Sequence, residues 1–448
     1  MARNSLVILA TLLAAGAVAA QDLTQDEAVT TALASNPAVQ AAAARAEAEA
    51  ARHDQARAHR WGRLDLAETF NYSDNPAEVF ALTLNQERFD LDGFFMSDPN
   101  RPNALSTFIT SLDLTVPVYT GGKLGTRIDQ AETMADAAEL ARRHAAQQVA
   151  FDTTTAFINL AKARDNAALL TTSRATTAEH VALAEAFADQ GLILDADLLK
   201  ARVYLSEMDD LLEQARNGAQ LAEAALNFEM GADQAIPRTL APLPPPTAVT
   251  GGLQDWIAAA LEDRRDLAAA RQHLAAARLE TRAARSGYLP EVAVIGKYGL
   301  YDDTIFGSNG RSGTVMAVAK INLFGGLADI DARRAAELDV LAGEADVRRF
   351  EEGVRLEVRQ AWQDRETASA RHATARDVLE AAREALRVRE QRFKQGLDRM
   401  IDLLDAETAL REAETRELVA RYDVALATAR LHFVSGATLI PSSMEESR

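Results

Sequence analysis

Apolar residues recur at alternating spacings of three and four in two segments of the chain, 190–231 and 395–436. In both segments most positions of this seven-residue repeat are apolar, and one row of it consists mainly of alanine. Such a repeat predicts helices that supercoil left-handedly around neighbours, and the alanine row lets two backbones approach closely. The segments align without a gap, from Gln190 on Gln395 to Gly231 on Gly436. The chain is therefore predicted to be one unit built of two similar halves.

Four shorter segments alternate strictly between apolar and polar residues, which predicts β-strands with one apolar face. The four predicted strands are 64–72, 108–118, 291–301 and 314–324. The segment 73–107, rich in Asn, Asp, Pro and Phe, is interpreted as a long loop, and 302–312 as a short polar one.

The remaining segments are helical in pattern, at 23–59, 123–190, 253–286 and 327–395. The second and fourth contain no proline and would each extend about 100 Å as one helix. Thr24 and Glu27 have the spacing of a capping box. The predicted fold class is mainly α, with four strands and long coiled-coil helices in each chain. The predicted divisions are 1–20 signal, 21–235 first repeat, 236–252 proline-rich linker, 253–436 second repeat and 437–448 tail.

Composition narrows the function classes. The 448 residues carry a net charge of −18, which argues against a nucleic-acid partner. The absence of cysteine excludes disulfides, thiolate metal sites and a lipid-modified N-terminal cysteine. The histidines are scattered and the common catalytic motifs are missing, so we expect no enzyme, metal or cofactor. Residues 1–20 resemble a cleaved secretory signal; an N-terminal membrane anchor is the less favoured alternative because the apolar run is short.

No later stretch reaches the roughly 18 consecutive apolar residues of a spanning helix, so any membrane span would be made of strands. More than half of the aromatic residues lie in 61–119 and 288–324, as expected for the two interfaces of a membrane barrel. The alternative is a soluble sheet with an aromatic core. Four strands cannot close a membrane barrel, and lipid does not tolerate open sheet edges. Several copies would therefore have to share one barrel.

These features together resemble the TolC family of outer-membrane efflux proteins. The resemblance is carried by the duplication, the junctions at 119–122 and 324–326, and the Gly-Leu turns at 191 and 396 with their trailing Asp-Leu-Leu. It implies a homotrimer with a 12-stranded β-barrel in the lipid of the cell outer membrane, continued by an α-helical barrel in the periplasm. It also implies two partners, a periplasmic adaptor (membrane fusion) protein and an inner-membrane pump or ABC transporter, for efflux or type I secretion.

The resemblance further implies functional residues at the periplasmic end. The adaptor would contact the turn residues Gly191, Leu192, Gly396 and Leu397. Asp402 and Asp405 match acidic positions that line the family's constriction, and Asp197 is a third candidate. In the alternative interpretation Asp195, Asp197 and Asp402 only cap or neutralise helix N-termini.

The gate departs from the family pattern. A tyrosine that often serves the gate is replaced by Phe393, which cannot donate a hydrogen bond. Arg392 or Arg399 could hold the gate instead by pairing with Asp197.

A second function class stays open from the sequence, a periplasmic coiled-coil scaffold or adaptor without a membrane span. It would be extracted without detergent, whereas a barrel would not. The sequence does not identify the cargo or the pump.

Overall fold

The computed structural model describes residues 22–96, 98–191, 193–245 and 248–440. The predicted signal segment and residues 441–448 of the predicted tail lie outside this range. The described helices are α1 Gln25–Ser35, α2 Pro37–Ala58, α3 Pro76–Asn85, α4 Leu91–Met96, α5 Lys123–Asp189, α6 Asp195–Glu229, α7 Leu253–Asp263, α8 Arg265–Arg285, α9 Ala328–Lys394 and α10 Met400–Val434. None of these described helices combines the length and the apolarity needed to cross a bilayer.

Local chemistry explains where the helices begin and break. The capping box is confirmed, because Glu27 N donates to Thr24 Oγ1 at 3.2 Å and Thr24 N donates to Glu27 Oε2 at 2.9 Å. The segment 23–59, predicted to be helical, forms two helices, α1 and α2. Asn36, which precedes a proline, is extended with ψ 125°, since the proline ring disfavours helical geometry in the residue before it. The helix predicted over 253–286 is likewise divided, at Arg264.

The strands are β1 Arg63–Ser73, β2 Leu105–Thr120, β3 Glu291–Asp302 and β4 Gly310–Lys320. They form one antiparallel sheet in the order β1-β2-β3-β4. The fourth strand starts and ends four residues before its predicted bounds, because its ladder with β3 ends where Glu291 pairs with Lys320. The interpretation of 73–107 as a loop was wrong in part, since α3 and α4 lie within it. Asn75 caps α3 by accepting hydrogen bonds from two backbone N–H groups through Oδ1.

The register gives the sheet two unlike faces. On one face apolar side chains stand opposite one another, as in the pairs Leu66–Leu112 and Phe70–Phe108. This face is not covered by the rest of the chain, and Leu66 is 69% exposed. The other face carries polar groups, including Lys297, whose Nζ lies 3.9 Å from an Asp113 carboxylate oxygen. Among the described residues, no further strand pairs with the outer edges of β1 and β4.

The chain divides into two compact units. The first comprises the described residues of 1–40, 145–263 and 355–448, and the second comprises 41–144 and 264–354. The second unit contains the sheet. In its helical part, α8 forms ion pairs with α9, with an Arg271 guanidinium nitrogen 2.8 Å from Glu351 and an Arg278 guanidinium nitrogen 2.9 Å from Glu344.

The core of the first unit is apolar and joins residues distant in sequence. Phe157 and Leu160 of α5 pack with Leu226 of α6, and all three are fully buried. Gly231 follows α6 with φ +65°, and a Cβ there would lie 2.7 Å from the Ser35 carbonyl oxygen. Glycine is therefore required at this crossing both for its backbone conformation and for its lack of a side chain.

Candidate functional site at the helical hairpin ends

Two glycine turns, both in the first unit, define the candidate site. Gly191 joins α5 to α6 with φ +70°, and Gly396 joins α9 to α10 with φ +72°. Both are exposed, and a Cβ on either would meet no atom within 4 Å, so the left-handed backbone alone requires glycine. Leu397 N donates to the Arg392 carbonyl at 2.9 Å, which closes the end of α9. Leu397 is 61% exposed, whereas Leu192 lies outside the described residues.

Beneath the turns, all four helices contribute to one apolar cluster. Its buried members are Val181, Ala184, Ala201, Leu386, Phe393, Met400, Leu403 and Leu404. Phe393, the predicted gate residue, is 3% exposed, and its ring centroid lies 5.7 Å from that of Phe187. In the single chain Phe393 thus stabilises the packing of α5 against α9, and its part in a gate stays a prediction.

The predicted gate arginines have partners on their own hairpin. Arg392 Nε lies 3.0 Å from Asp398 Oδ1, and an Arg389 guanidinium nitrogen lies 3.1 Å from Asp398 Oδ2. The Asp398 side chain is only 6% exposed. Burial by itself would raise the pKa of this carboxyl, but the hydrogen bonds from the two guanidinium groups hold the pKa below its usual value. The sequence analysis did not single out Asp398. An acidic residue directly after the Gly-Leu turn, with two arginines in the preceding helix, would have indicated this ion pair.

Arg399 pairs with Asp402. The Arg399 backbone N–H and its Nε each donate to Asp402 Oδ2 at 3.3 Å, so this carboxylate caps α10 as the alternative interpretation expected. Within the chain Arg392 contacts Asp398 and Arg399 contacts Asp402, and the pairing of either arginine with Asp197 in a gate stays a prediction.

The charges of the three predicted carboxylates act on one guanidinium group, that of Arg399. The hydrogen bond that Arg399 donates to Asp402 raises the pKa of Arg399, and the charges of Asp402, Asp197 and Asp405 raise it further. Asp405 is exposed and Asp197 is partly exposed. Carboxylates of both hairpins therefore lie close enough to Arg399 for their charges to act on it, and Asp402 alone is in direct contact with it.

A buried polar layer lies next to the apolar cluster, and sequence reasoning missed it. His180 Nε2 on α5 lies 2.7 Å from Glu407 Oε1 on α10, an ion-pair distance that lacks the angles of a hydrogen bond. The two side chains are 12% and 7% exposed. The contact with Glu407 raises the pKa of His180, ahead of the opposing effect of burial. Thr408 Oγ1 donates to Tyr204 Oη at 3.1 Å, and a cavity of about 180 Å³ adjoins Tyr204 and Glu407.

The family model described as "Outer membrane efflux protein" matches this chain over residues 28–232 and 256–437. The chain belongs to the outer membrane efflux protein family. This confirms the predicted resemblance and the outer-membrane location. The two matched intervals fall on either side of the proline-rich segment.

Individual family relatives agree with this assignment. The chain is 25% identical over 336 residues to the outer membrane efflux protein BepC of Brucella suis, covering 74% of this chain and 72% of that protein. A membrane protein from Pseudomonas aeruginosa has a similar structure, with a TM-score of 0.79, 22% identity and 92% of each chain covered. The outer membrane protein VceC of Vibrio cholerae aligns with a TM-score of 0.77 and 19% identity, over 93% of this chain and 96% of its own. These structures share the fold, and the predicted mainly helical class with four strands per chain is confirmed.

Proposed function

We propose that this outer membrane efflux protein is the exit channel of a tripartite export system, a passive conduit that a pump drives from the inner membrane. The observation that carries the proposal is the four-stranded sheet, with its exposed apolar face, its polar face and two outer edges that no other described strand pairs. An apolar face left open by its own chain fits lipid, and a polar face fits a water-filled lumen.

Copies of the chain would complete the wall. A lipid-exposed strand edge leaves backbone N–H and C=O groups without partners, so β4 of one copy is expected to pair with β1 of the next. Three copies give 12 strands, which is the homotrimer that the family resemblance implies. A crystal structure of MtrE of Neisseria gonorrhoeae, described as the open state of an outer membrane channel, has the same fold as this chain with a TM-score of 0.75, which supports a channel function.

The hairpin ends supply the gate and the docking surface. With three copies around one axis, Asp402 and Asp405 would place six carboxylates at a constriction, where they favour cations. Asp197 and Arg399 lie in the same charged group and would tune it. The exposed turns around Gly191 and Gly396 would meet the periplasmic adaptor protein.

The copy-to-copy pairing can be tested directly, because the chain has no cysteine to interfere. Ala67→Cys on β1 is combined in turn with Ser312→Cys, Thr314→Cys or Met316→Cys on β4, all on the polar face of the sheet. In outer-membrane vesicles, oxidation of one of the three pairs should give covalent trimers on denaturing gels. Ala67→Cys alone is the control and should give none. Intramolecular disulfides in place of trimers would contradict the proposal.

The channel itself is tested in planar lipid bilayers, where the purified protein should form long-lived conducting pores. The scaffold alternative predicts a protein that is extracted without detergent and does not conduct. Co-purification of the crosslinked adaptor would then identify the pump, and with it the choice between drug efflux and type I secretion.

A further inference from the structure

The described residues of 74–104, all except residue 97, lie between β1 and β2 and are fixed at the strand ends opposite those that join the long helices. Gln86 Nε2 donates to Thr107 Oγ1 at 2.7 Å, and both residues are fully buried. Thr107 stands on the polar face of the sheet, opposite Asn71. An Arg88 guanidinium nitrogen lies 2.8 Å from an Asp303 carboxylate oxygen beyond the end of β3. The segment therefore folds over the polar side of the sheet and is anchored to two strand ends.

A cavity of about 520 Å³ lies within this segment. Its walls are the rings of Phe80, Phe89 and Phe94, together with Pro99 and Pro102. The three ring centroids lie 5.5 to 5.7 Å from one another in edge or tilted contacts, so the rings hold one another in place. The volume falls in the range of small-molecule pockets, about 300–1,000 Å³, and aromatic rings with prolines make stiff apolar walls.

The charge of the lining is negative. Asp90 and Asp98 line the cavity, and each accepts a hydrogen bond from a nearby backbone N–H, at 2.8 Å and 3.0 Å. These bonds fix the positions of both carboxylates without neutralising them. Arg88 also lines the cavity, but its guanidinium is paired with Asp303. Among the described residues no cation forms an ion pair with either carboxylate, so an anionic amphiphile, such as a lipid with an acidic headgroup, would be repelled and a cationic one attracted.

We propose that this pocket binds amphiphilic cations, molecules with a flat apolar body and a protonated or quaternary amine. The apolar body would lie against the three phenylalanine rings, where a cationic group also gains from the ring faces. Placing the pocket at the extracellular mouth of the lumen rests on the proposed function, since only the closed barrel puts the polar face inside. There the pocket would be a last contact site for cationic cargo before release.

The experiment uses the full-length protein in lipid nanodiscs and measures fluorescence anisotropy of rhodamine 6G, a flat cationic dye. Fluorescein, a flat anionic dye, separates charge preference from simple partition into apolar surfaces. We expect saturable binding of rhodamine 6G and at least tenfold weaker binding of fluorescein. Val79→Trp, which fills the pocket, and Phe94→Ser, which removes one wall, should each weaken rhodamine binding at least tenfold.

The matched control is Phe95→Ser, which changes the neighbouring ring, 78% exposed and outside the pocket lining, and should leave binding unchanged. The pair Asp90→Asn and Asp98→Asn should reduce the preference for the cationic dye several-fold. Equal binding by wild type and Val79→Trp, or equal binding of the two dyes, would overturn the proposal. Bilayer conductance of the wild type is recorded in parallel. Pores without saturable dye binding would refute the pocket alone, and dye binding without pores would refute the channel while leaving the pocket.

Discussion

The buried pair of His180 and Glu407 gives a prediction whose sign and size follow from the structure. Glu407→Gln removes the carboxylate charge and keeps the side-chain volume almost unchanged. Removing one charge of a buried ion pair costs about 3–5 kcal/mol when the other charge is left without a partner. Because Gln keeps a polar oxygen beside His180, we expect a smaller loss, about 2 kcal/mol, in the free energy of unfolding at pH 6. An unfolding entropy of about 2.1 cal/mol/K per residue converts this to a melting temperature lower by about 2 °C if the whole chain unfolds together, and by more if the hairpin end unfolds separately.

The loss should depend on pH. The pKa of His180 is raised in the folded protein, by Glu407 first and also by the charges of Glu390 and Glu179. Because the folded-state pKa is raised, the pair contributes its full share to the free energy of unfolding below the usual histidine pKa of 6.5. That contribution is lost as the pH rises through the folded-state pKa. The free energies of unfolding of the wild type and Glu407→Gln should therefore differ more at pH 6 than at pH 9.

The assay is thermal unfolding in nanodiscs at both pH values, with hydrogen exchange of the amides in 400–415 as the local readout. Glu412→Gln, an exposed glutamate on the same helix, is the control and should change the free energy of unfolding by no more than about 0.5 kcal/mol. Two results would contradict this reasoning. One is an equal melting temperature for Glu407→Gln and the wild type at pH 6, and the other is a difference in their free energies of unfolding that grows with pH.

Three further outcomes are expected. Asp402→Ala combined with Asp405→Ala should weaken block by trivalent cations in single-channel recordings, and an unchanged block would reject the carboxylate ring. Asp398→Asn should speed amide hydrogen exchange around the Gly396 turn, since two guanidinium groups lose their anionic partner. Equal exchange rates in the wild type and the variant would show that these contacts do not stabilise the turn. Gly231→Ala should destabilise the protein more than Gly396→Ala. Both need a left-handed backbone, which costs about 1–2 kcal/mol, but only the former places a Cβ 2.7 Å from a carbonyl oxygen. Similar melting temperatures for the two variants would contradict this.

The sequence by itself determined the elements whose signal is local. The proline-free patterns gave the two long helices to within a residue at each end, with α5 observed at Lys123–Asp189 and α9 at Ala328–Lys394. The alternation gave four strands, and the glycine turns were recognised as turns. Helical and strand periods are properties of neighbouring side chains, and a positive φ favours glycine wherever it occurs. The family resemblance followed from the order of these local signals.

Only the tertiary structure decided which polar groups meet. Asp398 is enclosed by two arginines because the Gly396 turn folds its loop back onto α9, and His180 meets Glu407 because two hairpins distant in sequence pack side by side. The helices inside 73–107 were not predicted because each is short. The cavity lined by Phe80, Phe89 and Phe94 forms only because that segment is anchored to the sheet. Periodicity specifies the face on which a side chain lies. The partner that reaches it depends on contacts between segments far apart in the chain, which no local pattern encodes.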